Sequence, residues 1–76
     1  MKEILETIIK SLVDNKERVS IKELDGEKSV VLEVKVDEAD MGKVIGKQGR
    51  LAKSIRTLMK AVASKEQKRI TIEFIG

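Results

Sequence analysis

The chain opens with an amphipathic pattern. Ile4, Leu5, Ile8, Ile9, Leu12 and Val13 recur at helical spacing, and Glu3, Glu6, Lys10 and Asp14 fall on the other half of the cylinder. The spacing predicts a helix from about Lys2 to Asp14, ended by Asn15-Lys16. Val19, Ile21 and Leu24 suggest a short strand with imperfect alternation. Asp25-Gly26 then marks a turn. Val30, Leu32, Val34 and Val36 alternate with polar neighbours and predict a strand over Lys28 to Val36. Asp37 suits a helix N-cap, with Asp40 three residues on in a capping-box position. A short helix from about Glu38 to Ile45 follows, interrupted by Gly46-Lys47-Gln48-Gly49. A second runs from about Arg50 to Ser64, with Leu51, Ile55, Leu58, Met59 and Val62 on one arc and Lys53, Arg56 and Lys60 roughly opposite. Met59, near Ala52 and Ala63, reads as the edge of a core, with a dimer surface as the alternative. Ile70, Ile72 and Phe74 alternate in a last strand, about Arg69 to Ile75.

This order is α-β-β-α-α-β. Two helices link the long strand to the last one, a crossover that favours a parallel, right-handed connection. The Asp25-Gly26 turn adds an antiparallel neighbour. The expected fold class is α+β, a two-layer α/β sandwich with a three-stranded mixed sheet and three helices on one face. Residues 1–76 contain no linker, repeat or low-complexity stretch and read as a single domain.

Charge sharpens the picture. The net charge is only +3, but no Asp or Glu occurs from Met41 to Lys65, a stretch with seven Lys and Arg. The other residues hold nine basic and all thirteen acidic side chains. Such segregation is the footprint of a polyanion site. Composition also excludes much. Without Cys or His there is no disulfide framework, no Cys- or His-based metal site and no neutral-pH imidazole base. No carboxylates converge as an acid–base pair, so the residues do not suggest an enzyme, and no cofactor is implied. No apolar run reaches the roughly 20 residues of a membrane span, and Met1-Lys2-Glu3 opens without a signal peptide, so a cytoplasmic location is expected.

Gly46-Lys47-Gln48-Gly49 is the candidate for chemistry. Two glycines in four residues permit a sharp bend and leave the backbone bare. The bend feeds a helix N-terminus, where unpaired N–H groups and the positive dipole end favour an anion. Arg50 in that first turn opposes the dipole, at a cost of about 0.3–1 kcal/mol, which suggests another demand on the position such as a phosphate. A Walker A loop is excluded, because Gly42 to Gly46 is one residue too short and Gln48 replaces the Ser or Thr. The dinucleotide fingerprint is excluded too, since Val44 occupies its first glycine position. Gly42 allows a close approach or is a helix defect without a role.

The run Val44-Ile45-Gly46-Lys47-Gln48-Gly49-Arg50, in this order of elements, resembles the I-G-x-x-G signature of a type II KH (K-homology) domain. The longer run from Asp40 to Arg50, followed by Ile55-Arg56-Thr57-Leu58, is similar to the small bacterial single-KH, YlqC-like family. The likeness extends from the first helix to Phe74. It implies that the chain binds about four nucleotides of single-stranded RNA, with Gly46, Lys47, Gln48 and Gly49 clamping the phosphate backbone. The bases would lie between the two helices and the sheet edge. Val44 and Ile45 would support the loop or floor that groove, and Lys43, Arg50 and Lys53 would neighbour phosphates. Arg56 and Lys60 divide evenly between contact and solvation. The resemblance further implies a homodimer, a heterodimer with a larger Jag (KhpB)-type RNA-binding protein, and roles in RNA chaperoning, post-transcriptional regulation and cell elongation and division. No membrane or small-molecule partner is implied.

The scarcity of aromatics does not oppose this reading. Phe74 is the single aromatic residue, and a stacking platform of RRM or OB type would need more. Two other classes compete. A short helix, a glycine turn and a basic helix imitate a helix-turn-helix reader of duplex DNA. A protein-interaction subunit of a KH–Jag complex, with weak intrinsic RNA binding, is the other.

Overall fold

The computed structural model describes residues 1–75. Helix α1 (Lys2–Leu12) buries Leu5 and Ile9. Strands β1 (Ser20–Asp25) and β2 (Ser29–Lys35) pair antiparallel, with Ile21 opposite Val34 and Asp25 opposite Val30. The turn between them closes with the Gly26 N–H donating to the Ser29 carbonyl at 2.7 Å. Helices α2 (Met41–Ile45) and α3 (Arg50–Lys65) lead to β3 (Arg69–Ile75), which runs parallel to β2. The sheet order is β1-β2-β3, so the faultlessly alternating strand is central.

Register explains the two layers. Val30, Leu32 and Val34 of β2 lie beside Ile70, Ile72 and Phe74 of β3, and all share a face with Ile21. That face meets Leu5 and Ile9 of α1, Val44 of α2, and Ile55, Met59 and Ala63 of α3 in one buried cluster. Lys22, Leu24, Thr71 and Glu73 point from the other face to solvent. The mixed sheet with three helices on one face is as expected.

Four local expectations change. Helix α1 stops at Leu12, two residues early, and Val13 is extended. The reason is tertiary: the amides of Asp14 and Asn15 donate to the Asp40 carboxylate at 3.3 and 3.0 Å. The expected helix from Glu38 to Ile45 is instead a 3-10 turn over Glu38–Asp40 followed by α2. Asp37 does cap it, its Oδ1 accepting from the Ala39 N–H at 2.9 Å. Asp40 is no capping-box partner, because its carboxylate is turned into the protein and is 1% exposed.

The fourth change is the facing of α3. Its buried residues are Ala52, Ile55, Met59 and Ala63, while Leu58 is 52% exposed. At about 100° per residue, the true core axis is rotated by roughly 60° from the arc drawn through the largest side chains. The small residues Ala52 and Ala63 let the helix approach the sheet, and Met59 is at the centre of the core rather than its edge. The same rotation carries Arg56 to the flank facing β3. Helix α3 ends in a Schellman motif, with the Lys68 N–H donating to the Ala63 carbonyl at 3.0 Å and Gln67 left-handed at φ 57°.

Candidate nucleic-acid interface

Two features converge beside α3. The first is the bend at its N-terminus. Gly46 has φ 74° and ψ −178°, a conformation essentially restricted to glycine. A Cβ there would lie 2.6 Å from the Leu51 Cβ. Its N–H closes α2 on the Gly42 carbonyl at 2.9 Å. Residues Lys47–Gly49 then make one 3-10 turn in which Gln48 (φ 56°) and Gly49 (φ 73°) are both left-handed. Left-handed Gln48 is uncommon for a side chain of that type and marks strain at the tip of the bend.

Gly49 is the N-cap of α3, no side chain accepts from the first-turn amides, and that turn contains no acid. The positive end of the helix dipole is therefore presented without a competing carboxylate. Lys47, Gln48, Arg50 and Lys53 are all exposed around it. Arg50 and Lys53 are one helical turn apart on the same side. This arrangement is suited to an anion, with backbone N–H groups to meet it and three flexible cations to add charge.

The remaining expected site residues behave differently. Val44 has no exposed surface, so it supports the loop from within the core and offers nothing to a ligand. Ile45 is half-buried and packs against the core. Lys43 is exposed but engaged within the protein: its ammonium pairs with Asp14 and lies 3.4 Å from Asp40. The hydrogen bond to Asp14 is the main cause that raises the Lys43 pKa above its ordinary value. Lys43 thus ties α2 to the end of α1, and its charge is largely answered there. Nothing lies within 4 Å of a Cβ built at Gly42, so no contact within the protein demands glycine there.

The Asp40 carboxylate is the hub of this tie. It accepts from the Asn15 and Asp14 amides and from Asn15 Nδ2 at 3.2 Å. Chiefly the Asn15 backbone amide, with the Asp14 amide, the Asn15 side chain and the Lys43 ammonium behind it, holds its pKa below the ordinary aspartate range despite burial. No spacing rule reveals this group, because its partners are 25 and 26 residues away in the chain.

The second feature is a cleft along the unpaired edge of β3. Arg56, Lys60, Ile70, Thr71 and Ile72 line it, and an adjoining recess continues past Lys68 and Arg69. Arg56 Nε donates to the Ile72 carbonyl at 3.3 Å, and its guanidinium carbon lies 5.2 Å from the Phe74 ring centroid. Arg56 and Lys60 are therefore both brought to the cleft. Only the parallel crossover, which sets α3 beside β3, could have signalled this beforehand. Lys68 is held by Asp25 at 2.8 Å. A separate surface recess lined by Arg18, Lys35, Asp37 and Glu38 is balanced in charge and has no bias toward a polyanion. Among the described residues no three His, Cys, Asp or Glu side chains converge to hold a metal. Among those residues no helix is long and apolar enough to cross a membrane.

The profile of the KhpA/KhpB KH-domain family matches residues 2–74. The chain belongs to that family. Among its relatives, the RNA-binding protein KhpA of Clostridium acetobutylicum is 60% identical over 75 residues, covering 99% of this chain and 100% of the relative. RNA-binding protein KhpA of Clostridium perfringens is 59% identical over the same length, with the same coverage. RNA-binding protein KhpA of Aquifex aeolicus is 49% identical, covering 99% of this chain and 95% of the relative. No solved structure matches the chain. In this KH-domain chain the glycine bend lies between α2 and α3, and the β3 edge runs alongside α3. Bend and cleft are thus the two ends of one surface. Ten residue steps along α3, from Arg50 to Lys60, separate them by about 15 Å.

Proposed function

We propose that the protein is a single-stranded RNA-binding KH module that acts without catalysis. The observation that carries this reading is the uncapped N-terminus of α3, presented behind the Gly46–Gly49 bend and free of acids in its first turn. A phosphodiester passes over the bend, against the exposed Lys47, Gln48, Arg50 and Lys53, and the bases descend along α3 to the β3 edge. Unpaired bases suit that cleft because their edges are free to meet it. Duplex DNA fits less well. The helix before the bend has only five residues, and α3 runs beside the β3 edge rather than standing clear for a major groove.

A site of about four nucleotides is short, and pairing two modules raises the effective concentration of the second. We therefore extend the reading to a homodimer and to a heterodimer with a larger Jag/KhpB-type RNA-binding protein. The physiological role is that of a cytoplasmic RNA chaperone or post-transcriptional regulator linked to cell elongation and division. The names of its relatives support the RNA ligand and family membership supports the KhpB pairing. The subunit role, with RNA contact secondary, is the reading to which a failed RNA titration would lead.

The test replaces Lys47 and Gln48 together with Asp and titrates a labelled oligoribonucleotide by fluorescence anisotropy. Both side chains are exposed, and Asp tolerates the left-handed backbone at position 48. Binding should be lost while circular dichroism stays unchanged. Affinity of the wild type should fall steeply with salt as counterions are released. A folded double variant that binds as the wild type does would remove the bend from the mechanism.

A further inference from the structure

The cleft beside β3 is chemically one-sided. Its two charged side chains, Arg56 and Lys60, are hydrogen-bond donors, and no carboxylate lines it. Among the described residues Arg56 forms no ion pair with any Asp or Glu. Its guanidinium is nevertheless held from two directions. Nε is spent on the Ile72 carbonyl of the open edge, and the guanidinium carbon lies over the Phe74 ring. The four N–H groups of the two terminal nitrogens are left for a ligand. The Ile72 carbonyl, an acceptor that the bare edge would offer a base, is already engaged. A ligand entering here meets a fixed fork of donors.

Such a fork discriminates among bases. Guanine presents O6 and N7 side by side as acceptors, and cytosine presents O2 and N3 in the same way. Adenine sets an amino donor beside each acceptor on those edges, and uracil sets its N3–H between its two carbonyls. Resting on the RNA-binding reading above, we propose that Arg56 is a specificity-determining residue. It selects a nucleobase with two adjacent acceptors, guanine or cytosine, at the β3 edge. Pre-organisation by Ile72 and Phe74 is what makes the choice sharp, because the fork loses little freedom when the base arrives.

The experiment uses the full chain and four pentaribonucleotides, UUXUU with X as G, C, A or U, titrated by anisotropy at fixed salt. Wild type should bind the G and C oligomers at least about fivefold more tightly than the A and U oligomers, the lower end expected of a bidentate contact. Arg56→Lys keeps the charge and the helix but replaces the fork with a point donor. It should flatten the ranking while mean affinity changes by no more than about twofold. Phe74→Leu, which removes the ring beneath the fork and leaves Arg56 in place, should reduce the same ranking. Circular dichroism and urea midpoints verify that each variant is folded. A wild type that ranks the four oligomers equally would overturn the assignment. So would an Arg56→Lys protein that retains the wild-type ranking, since Arg56 would then be a phosphate contact or an edge cap. If wild type binds none of the oligomers, the RNA-binding reading itself fails and takes this one with it.

Discussion

The two glycines of the bend are not equivalent, and alanine substitution should separate them. At Gly46 two penalties combine. The backbone region it occupies costs a residue with a Cβ about 1–3 kcal/mol. The new Cβ would also sit 2.6 Å from the Leu51 Cβ and 3.1 Å from the Leu51 amide nitrogen, which belong to the first turn of α3 and cannot swing aside. Forcing an extra methyl into such a contact typically costs a further 1–3 kcal/mol, roughly. Gly46→Ala should therefore lose about 2–6 kcal/mol. At about 0.05–0.15 kcal/mol per residue, the whole domain has only about 4–11 kcal/mol. Gly49 differs. It is left-handed at φ 73° and ψ 12°, and a Cβ there meets nothing within 4 Å. The left-handed cost of about 1–2 kcal/mol is partly offset by about 0.4–1 kcal/mol of reduced unfolded-state entropy. Gly49→Ala should lose only about 1 kcal/mol. Without Trp or Tyr the readout is far-ultraviolet circular dichroism in urea and on heating. A central difference of about 3 kcal/mol should put the Gly46 variant's melting point roughly 12–24 °C below that of the Gly49 variant, at about 4–8 °C per kcal/mol for a domain of this size. Equal midpoints, or a more stable Gly46 variant, would refute the steric argument.

Two further outcomes concern the core and its buried carboxylate. Met59→Ala should cost about 2–5 kcal/mol as a cavity opens under α3, whereas Leu58→Ala, one position away but half exposed, should stay within about 0.5 kcal/mol. Paired urea midpoints measure both, and a Leu58 effect as large as that of Met59 would mean the helix faces another way. The folded-state pKa of Asp40 lies below the ordinary aspartate value of 3.8, so its contribution to stability is complete above that value and is lost as pH falls through the depressed one. Urea midpoints of wild type and Asp40→Asn should differ at neutral pH, begin to converge below about pH 3.8 and meet only once the pH is under the depressed value. Parallel curves across the acid range would show that the carboxylate charge is not what holds α1 to α2.

Much of the fold is written in local repetition. The period-two run through Val30, Leu32 and Val34 marks β2 because every second side chain of a strand faces the same way. The two helices between β2 and β3 dictate the parallel pairing because a hairpin cannot span them. The glycine bend, its cations and the acid-free stretch from Met41 to Lys65 are visible without coordinates, since each is a property of neighbours in the chain.

What the amino-acid order could not decide is which distant groups meet. Asp40 reads locally as a capping residue, yet folding delivers it to amides 25 and 26 residues away, which ends α1 early, and its carboxylate together with that of Asp14 engages Lys43. Leu58 reads as core by its hydrophobicity, but close packing against the sheet favours the smaller Ala52 and Ala63 and turns Leu58 outward. That same rotation sets Arg56 over Phe74 and against the open edge of β3. Periodicity records how often a side chain returns to a face. Only the packed molecule settles what that face touches, because such contacts depend on volumes and directions contributed by segments far apart in the chain.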